Sequence, residues 1–162
     1  FAEGVWRVGD TYNSSIGQYG WQVTPLQLAR AVAAVANRGL LVNPHIAFSG
    51  TEPSILRRVD GVSDSSYSVI HEGMRQTVTE GTGSLMNVSF VKVAAKTGTA
   101  QIGAGNVHTN SWVSGFFPYE NPEYAFVVLM DYGPKTFQFS SAYVMREVLN
   151  WMRDNRPEYL GL

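Results

Sequence analysis

The chain reads Val93-Ala-Ala-Lys-Thr-Gly-Thr-Ala-Gln101 within a longer stretch, Phe90 to Ala100, in which polarity changes from one residue to the next. Successive side chains of a β-strand point to opposite faces, so this alternation predicts a strand with one apolar face. The two predicted faces carry, respectively, Val91, Val93 and Ala95, and Lys92, Ala94, Lys96 and Gly98.

Two further strands are predicted downstream, from Asn110 to Phe117 and from Tyr124 to Asp131. The segment Pro118 to Pro122 between them has the length and the residues of a hairpin turn. The last strand is apolar along almost its whole length, which predicts burial on both of its faces. Together these segments predict an antiparallel sheet.

The best-marked helix runs from about Pro25 to Arg38. Thr24 suits the N-cap, Pro25 suits the first helical position, and Gly39 provides the left-handed end. Apolar residues cover most of the circumference of this helix, which predicts that it is packed on several sides.

Two more helices are predicted, from Ser66 to Thr79 and from Ser140 to Asp154, whereas Ser49 to Ser65 is polar and rich in turn residues. Gly73, inside the first of these helices, indicates a close helix contact because glycine costs about 1 kcal/mol there relative to alanine. The fold class expected is α+β, an antiparallel sheet with flanking helices.

Composition excludes several classes of function. The 162 residues are 44% hydrophobic and 15% charged, with a formal net charge of −1, and no basic run exceeds the pair Arg57-Arg58. This balance gives no sign of a nucleic-acid partner. The chain has no cysteine, and its three histidines lack the spacing of metal ligands. We expect neither a cofactor nor a metal site.

The segment Lys96-Thr-Gly-Thr99 has the chemistry of a peptide-binding edge. Free backbone groups of an edge strand pair with an extended peptide, and Gly98 leaves room for a close approach. Lys96 attracts a carboxylate, to which Thr97 and Thr99 donate hydrogen bonds. Lysine and threonines lie on opposite faces, so one ligand touches both only along the edge. An ordinary surface strand with a bulge glycine also fits these four residues.

Lys-Thr-Gly is the third motif of the serine penicillin-binding proteins and class A β-lactamases. Its surroundings here resemble the class B transpeptidases, and the branch of penicillin-binding protein 2 most closely. The resemblance covers nearly the whole chain in the family's order. It rests on Ser15-Ile-Gly-Gln18, Val23-Thr-Pro-Leu-Gln-Leu-Ala29, Gly73-Met74, Gly81-Thr-Gly83, residues 93–101 and Gly115 to Tyr124.

The resemblance implies the penicillin-binding/β-lactamase-like transpeptidase fold and a peptidoglycan D,D-transpeptidase activity. It implies that Lys96 helps to bind the substrate carboxylate, that Thr97 and Thr99 hydrogen-bond to it, and that Gly98 lies in the substrate-binding segment. The backbone N–H of Thr99 is expected to be one of two oxyanion-hole donors.

The family's second motif, Ser-x-Asn, is absent, and its first, Ser-x-x-Lys, has one formal match at Ser89-Phe-Val-Lys92. The family places that serine at the start of a helix and far upstream. Here the four residues are predicted to enter a strand, where Ser89 and Lys92 point to opposite sides. We therefore expect the nucleophilic serine outside this chain, residues 1–162 to be the C-terminal portion of one transpeptidase domain, and this portion alone to be inactive.

The implied partners are peptidoglycan stem peptides, β-lactam antibiotics, the rest of the domain and membrane proteins of cell elongation, including a glycosyltransferase. The implied location is the periplasmic face of the bacterial inner membrane, with an N-terminal anchor outside the sequence. Two alternatives remain open: a β-lactamase or D,D-carboxypeptidase, and a penicillin-sensing or scaffolding module. Rapid turnover of penicillin would favour the former, and crosslinking of peptidoglycan would eliminate the latter.

Overall fold

A computed structural model describes residues 4–18, 21–46, 55–103, 105, 107–136 and 139–162. Short 3-10 turns lie at Ser84–Met86 and Pro157–Leu160. The elements are α1 Val8–Ser15, α2 Pro25–Ala36, β1 Leu40–Val42, β2 Ile55–Arg58, α3 Asp64–Thr79, β3 Ala94–Ile102, β4 His108–Phe117, β5 Tyr124–Pro134 and α4 Ser141–Asn155.

The main sheet contains three antiparallel strands in the order β3-β4-β5. Lys96 lies opposite Ser114 and Thr99 opposite Ser111, and β3 pairs with β4 along its whole length, from Ala94 to Ile102. Within the described part of the chain no strand pairs with the other side of β3. The motif therefore lies in an edge strand. A separate pair, β1 and β2, forms a small second sheet.

Two apolar clusters cover the two faces of this sheet. Ala94 packs on one face with Val32 of α2, and its neighbour Ala95 packs on the other face with Leu149 of α4. Adjacent residues of β3 thus contribute to different clusters, as the period of a strand requires. The resulting layers, helices on either side of an antiparallel sheet, confirm the predicted α+β layout.

The hydrogen bonds at the N-terminus of α2 confirm the predicted N-cap. The Thr24 hydroxyl accepts a hydrogen bond from the Gln27 backbone N–H at 3.2 Å, and the Gln27 side chain accepts one from the Thr24 N–H at 2.8 Å. At the other end, α2 ends at Ala36, two residues earlier than predicted; Arg38, and not Gly39, has the left-handed φ of +58°, and Gly39, with φ +102°, donates its N–H to the Ala34 carbonyl. Local residues therefore determine both ends of α2.

The prediction that Gly73 marks a close helix contact is wrong. Gly73 is exposed, and a Cβ built on it would meet nothing within 4 Å. The predicted helix itself is confirmed, and it begins two residues earlier, at Asp64, because Ser63 accepts a hydrogen bond from the Ser66 N–H at 3.1 Å.

The motif strand begins four residues later than predicted, at Ala94. Its expected first residues use their carbonyls elsewhere: the Lys92 carbonyl accepts from the Tyr119 N–H at 2.9 Å, and the Val93 carbonyl accepts from the Arg75 guanidinium at 2.8 Å. These long-range bonds replace strand pairing at positions where the alternation of polarity alone predicts it.

Two other expectations need correction. None of the residues of β5 is fully buried, so its predicted burial on both faces is wrong; α2 and α4 cover this strand only partly.

Strand β2 lies inside the predicted turn-rich segment Ser49 to Ser65, of which 49–54 lie outside the described residues. Its four residues are all exposed, so the strand has no alternation of buried and exposed positions that would have predicted it from the sequence. Helix α1 was not predicted either, and none of its residues is buried.

None of the helices that the structure describes combines the length and the apolar character needed to span a membrane.

Candidate active site

The motif strand passes from the core to the surface within six residues. Ala94 and Ala95 have no exposed surface and fix the start of the strand between the two apolar clusters. From Lys96 onward the strand is largely accessible: Lys96, Gly98 and Thr99 are exposed and Thr97 is half-buried. A rigid buried anchor therefore presents the four predicted site residues at the margin of the sheet.

The outer carbonyls of this margin are bonded to side chains. The Thr97 carbonyl accepts from the Lys96 ammonium at 2.5 Å, and the Thr99 carbonyl accepts from the Gln18 amide at 3.3 Å. In an antiparallel edge strand every second residue directs its backbone groups away from the partner strand. Thr97 and Thr99 have this spacing. An extended ligand that pairs with Thr99 has to replace the Gln18 amide at this carbonyl.

Lys96 places a positive charge at the point where β3 leaves the core and becomes accessible. Its ammonium bonds to a neutral carbonyl, and the ion pairs found among the described residues do not include it. Lys92, four residues earlier, is instead paired with the Glu120 carboxylate. Lys96 is thus the lysine of this segment whose charge is available to an incoming carboxylate.

Packing against other residues does not explain why residue 98 is glycine. A Cβ built there would lie 3.6 Å from the Trp112 Cβ, an ordinary van der Waals distance, and the backbone does not adopt a positive φ. Gly115 on β4 differs sharply, because its Cβ would lie 2.2 Å from the Ala94 carbonyl oxygen. The fold requires glycine at position 115 and tolerates a side chain at position 98.

A groove of about 760 Å³ borders the distal half of β3. This volume falls in the range of small-ligand sites, about 300–1,000 Å³. Gly98 and Thr99 line it on the strand side, and Trp21 and Leu28 line it on the side of α2. Lys96 and Thr97 lie at the same margin outside the groove lining. The four predicted residues therefore lie along one margin, and two of them open into a cavity.

Two further side chains reach the motif from distant parts of the chain. The Thr82 hydroxyl lies 2.5 Å from the Thr97 hydroxyl, and Gln18 contacts Thr99 from 81 positions away. Both residues lie in segments through which the sequence resembles the family, but neither contact was predicted. No local pattern relates residues at such separations, so only the packed chain brings them together.

The formal match Ser89 to Lys92 lies in neither a helix nor a strand, because β3 begins at Ala94. The reason given for rejecting it, that these residues enter a strand, is therefore wrong. The rejection itself has separate support, because Lys92 pairs with Glu120 and its carbonyl is bonded to Tyr119. The helical turn on which a Ser-x-x-Lys pair shares one face is missing here.

The described residues contain no group of three or more histidine, aspartate or glutamate side chains that could hold a metal ion. Two side chains that lie near the start of β3 have shifted pKa values. Burial, followed by the hydrogen bond to Glu72, raises the pKa of Tyr119, and the hydrogen bond from Lys92 lowers the pKa of Glu120.

Comparison with known proteins places this geometry in a family. The family model for the penicillin binding protein transpeptidase domain matches residues 3–150. The peptidoglycan D,D-transpeptidase MrdA of Acinetobacter baumannii is 34% identical over 149 residues, which are 79% of this chain and 22% of that protein. Stage V sporulation protein D of Bacillus subtilis is 33% identical over 168 residues, 94% of this chain and 26% of that protein. The chain spans about a quarter of the length of these relatives.

Solved structures agree. Penicillin-binding protein 2 of Helicobacter pylori superposes with a TM-score of 0.76 at 28% identity over 92% of this chain and 27% of that one. Penicillin-binding protein 2 of Pseudomonas aeruginosa, in complex with WCK 5153, gives 0.75 at 27% identity over 96% and 36%. The predicted fold and the predicted resemblance to the branch of penicillin-binding protein 2 are confirmed. The chain belongs to the transpeptidase domain family of the penicillin-binding proteins.

Proposed function

We propose that the protein containing this chain is a peptidoglycan D,D-transpeptidase and that residues 1–162 are the C-terminal portion of its transpeptidase domain. The observation that carries the proposal is the position of Lys96 to Thr99 on an edge of the sheet with which no described strand pairs. An edge of this kind accepts an extended peptide as an additional strand.

The proposed reaction has two steps. A serine outside this chain attacks the penultimate D-alanine carbonyl of a stem peptide; the bond to the terminal D-alanine breaks, and D-alanine leaves with a proton. An amine of a neighbouring stem then attacks the serine ester, which forms the crosslinking amide and returns the proton to the serine. A β-lactam acylates the same serine and stops at the ester.

The residues of this chain bind and polarise the substrate in that scheme. Lys96 attracts its terminal carboxylate, and Thr97 and Thr99 donate hydrogen bonds to it. The Thr99 backbone N–H is one of two donors to the oxyanion that forms at the attacked carbonyl, a role that typically contributes about 3 kcal/mol. Gly98 leaves the space through which the ligand backbone approaches; among the described residues, a Cβ built there would meet only the Trp112 Cβ, at 3.6 Å.

The substrate determines the proposed location, the periplasmic face of the inner membrane, with an N-terminal anchor outside residues 1–162. The proposed partners are membrane proteins of cell elongation, including a glycosyltransferase that makes the strands to be crosslinked. The resemblance of Ser15-Ile-Gly-Gln18 to penicillin-binding protein 2 of the elongation machinery supports this branch.

The test is acylation of the longer protein by a fluorescent penicillin, with residues 1–162 alone as the control. We expect stable label on the longer protein, at a serine outside this chain, and no label on the chain alone. Label at Ser89, or no acylation of the longer protein, would contradict the proposal. Rapid loss of the label to water would indicate a hydrolase, and label without peptidoglycan crosslinking would indicate a sensor.

A further inference from the structure

One contact at the motif comes from outside the sheet. The side-chain oxygens of Thr82 and Thr97 lie 2.5 Å apart, a short hydrogen bond between two hydroxyls. Thr82 belongs to the turn that follows α3, 15 positions before its partner. Thr97 therefore has a side-chain partner that is independent of the pairing between β3 and β4.

The turn that presents Thr82 is held rigidly on both sides of this residue. The Gly83 N–H donates to the Thr77 carbonyl at 2.9 Å, which fastens the turn to the end of α3. A Cβ on Gly81 would approach the Thr77 backbone to 3.0 Å, and one on Gly83 would approach the side chain of the buried Met86 to 3.2 Å. Both distances are shorter than usual Cβ contacts, so glycine suits the close packing on either side of Thr82.

The direction of the bond matters for ligand binding. A threonine hydroxyl has one proton to donate and two lone pairs to accept with, and an ionised carboxylate only accepts. If Thr97 donates to Thr82, its proton is used and none remains for a carboxylate. If Thr82 donates to Thr97, the Thr97 proton is free, and the chain of two hydroxyls strengthens each bond.

We propose that Thr82 is a positioning residue that donates its hydroxyl proton to Thr97, so that Thr97 donates its own to the ligand carboxylate. This inference rests on the proposed function. It adds a residue that lies outside the motif strand. It also means that the turn after α3 helps to select ligands that end in an anionic group. Thr82 touches Thr97 and acts through it.

The experiment measures acylation of the longer protein by a carboxylate-bearing penicillin and separates the initial binding constant from the acylation rate. Thr82→Val keeps the shape and removes the donor. We expect initial binding three- to tenfold weaker, the size typical of one hydrogen bond, and an acylation rate almost unchanged. Thr82→Ser keeps the donor and should restore binding. Thr79→Val is the matched control, because among the described residues the exposed Thr79 hydroxyl bonds to carbonyls of its own helix and to no others.

A double-mutant cycle with Thr97→Val distinguishes positioning from a general structural role. We expect Thr82→Val to have no further effect once the Thr97 hydroxyl is absent. An equal effect in both backgrounds, unchanged binding in Thr82→Val, or failure of Thr82→Ser to restore binding would overturn the inference. Absence of acylation in the unmodified protein would instead overturn the proposed function, so the two failures are distinguishable.

Discussion

At the scale of single residues, the motif strand contains some positions that packing constrains and others that it does not. Ala94 and Ala95 are buried and could not be exchanged for larger residues without displacing α2 or α4. Gly98, on the same strand, has space around it. This contrast is what we expect if the proposed ligand, and not packing, requires glycine at position 98.

Two glycines on neighbouring strands provide a matched test of this distinction. Gly98→Ala should change the melting temperature little, since its Cβ meets only Trp112 at an ordinary distance. It should slow acylation by penicillin on the order of a hundredfold, because the added methyl displaces the ligand from the edge. Gly115→Ala should lower the melting temperature by about 5–10 °C, since its Cβ overlaps the Ala94 carbonyl. Unimpaired acylation of Gly98→Ala would contradict the role given to this residue.

Lys96 and Lys92 provide a second matched pair. Lys96→Gln should weaken binding of a carboxylate-bearing penicillin by about tenfold or more, because a charge-assisted hydrogen bond is lost. Lys92→Gln should leave acylation unchanged, because Lys92 pairs with Glu120. Acylation rates of both variants, measured at low and high salt, check this prediction. Equal losses in the two variants would mean that general positive charge, and not Lys96, attracts the ligand.

At the scale of elements, the start of β3 is held by contacts from two neighbours. Arg75 of α3 donates to the carbonyl of the fully buried Val93, and Tyr119 of the turn after β4 donates to the carbonyl of Lys92. A buried carbonyl without a partner costs about 1–3 kcal/mol. These two bonds therefore fix where the strand begins, and with it the position of the four residues that follow.

The ion pair of Lys92 and Glu120 supports the same junction and depends on pH. Pairing lowers the pKa of Glu120 in the folded protein, so its contribution is present above the ordinary glutamate range and is lost as pH falls through the lowered value. Both side chains are more than half exposed, at 62% and 56%, so the contribution is small. Glu120→Gln should cost at most about 0.5 kcal/mol at neutral pH.

The measurement is the melting temperature of the unmodified protein and of Glu120→Gln across a pH series. The difference should disappear in acid as the Glu120 carboxylate becomes protonated. A difference that persists unchanged at low pH would show that the ion pair is not its cause.

At the scale of the whole molecule, large apolar side chains remain accessible from the residues just before α1 to the first turn of α2. The exposed fractions are 54% for Trp6, 70% for Tyr12, 66% for Trp21 and 60% for Leu26. The prediction that α2 is packed on several sides is thus met within this chain only in part, by contacts with the sheet and α3. We expect the rest of the proposed domain to cover this surface.

Hydrogen exchange tests directly whether this apolar surface is covered in the longer protein. Peptides from residues 4–28 should exchange faster in the isolated chain than in the longer protein, because covered helices open less often. Peptides from β4, whose Phe116 and Phe117 are buried in the isolated chain, serve as the internal control and should be similarly protected in both. Equal exchange of residues 4–28 in the two proteins would contradict the proposed cover.

The sequence by itself determined the elements whose signals are local or periodic. Thr24 and Gly39 delimit α2, alternating polarity predicts the motif strand, and a hairpin turn separates the two strands that follow it. Their signals lie within a few residues, which is the range over which caps, turns and side-chain periodicity act. For the motif residues Lys96 to Thr99 the local pattern left an ordinary surface strand equally open, and the resemblance to the family along the chain assigned their roles.

Only the tertiary structure decided where the motif strand begins, which side of it stays unpaired, and which distant side chains reach it. Bonds from Arg75 and Tyr119 shift the start of β3, and Thr82 and Gln18 meet the motif across 15 and 81 positions. Such contacts depend on packing of the whole chain, because no backbone period relates residues so far apart. For the same reason no local rule indicates that Gly98 has space around it whereas Gly115 has none.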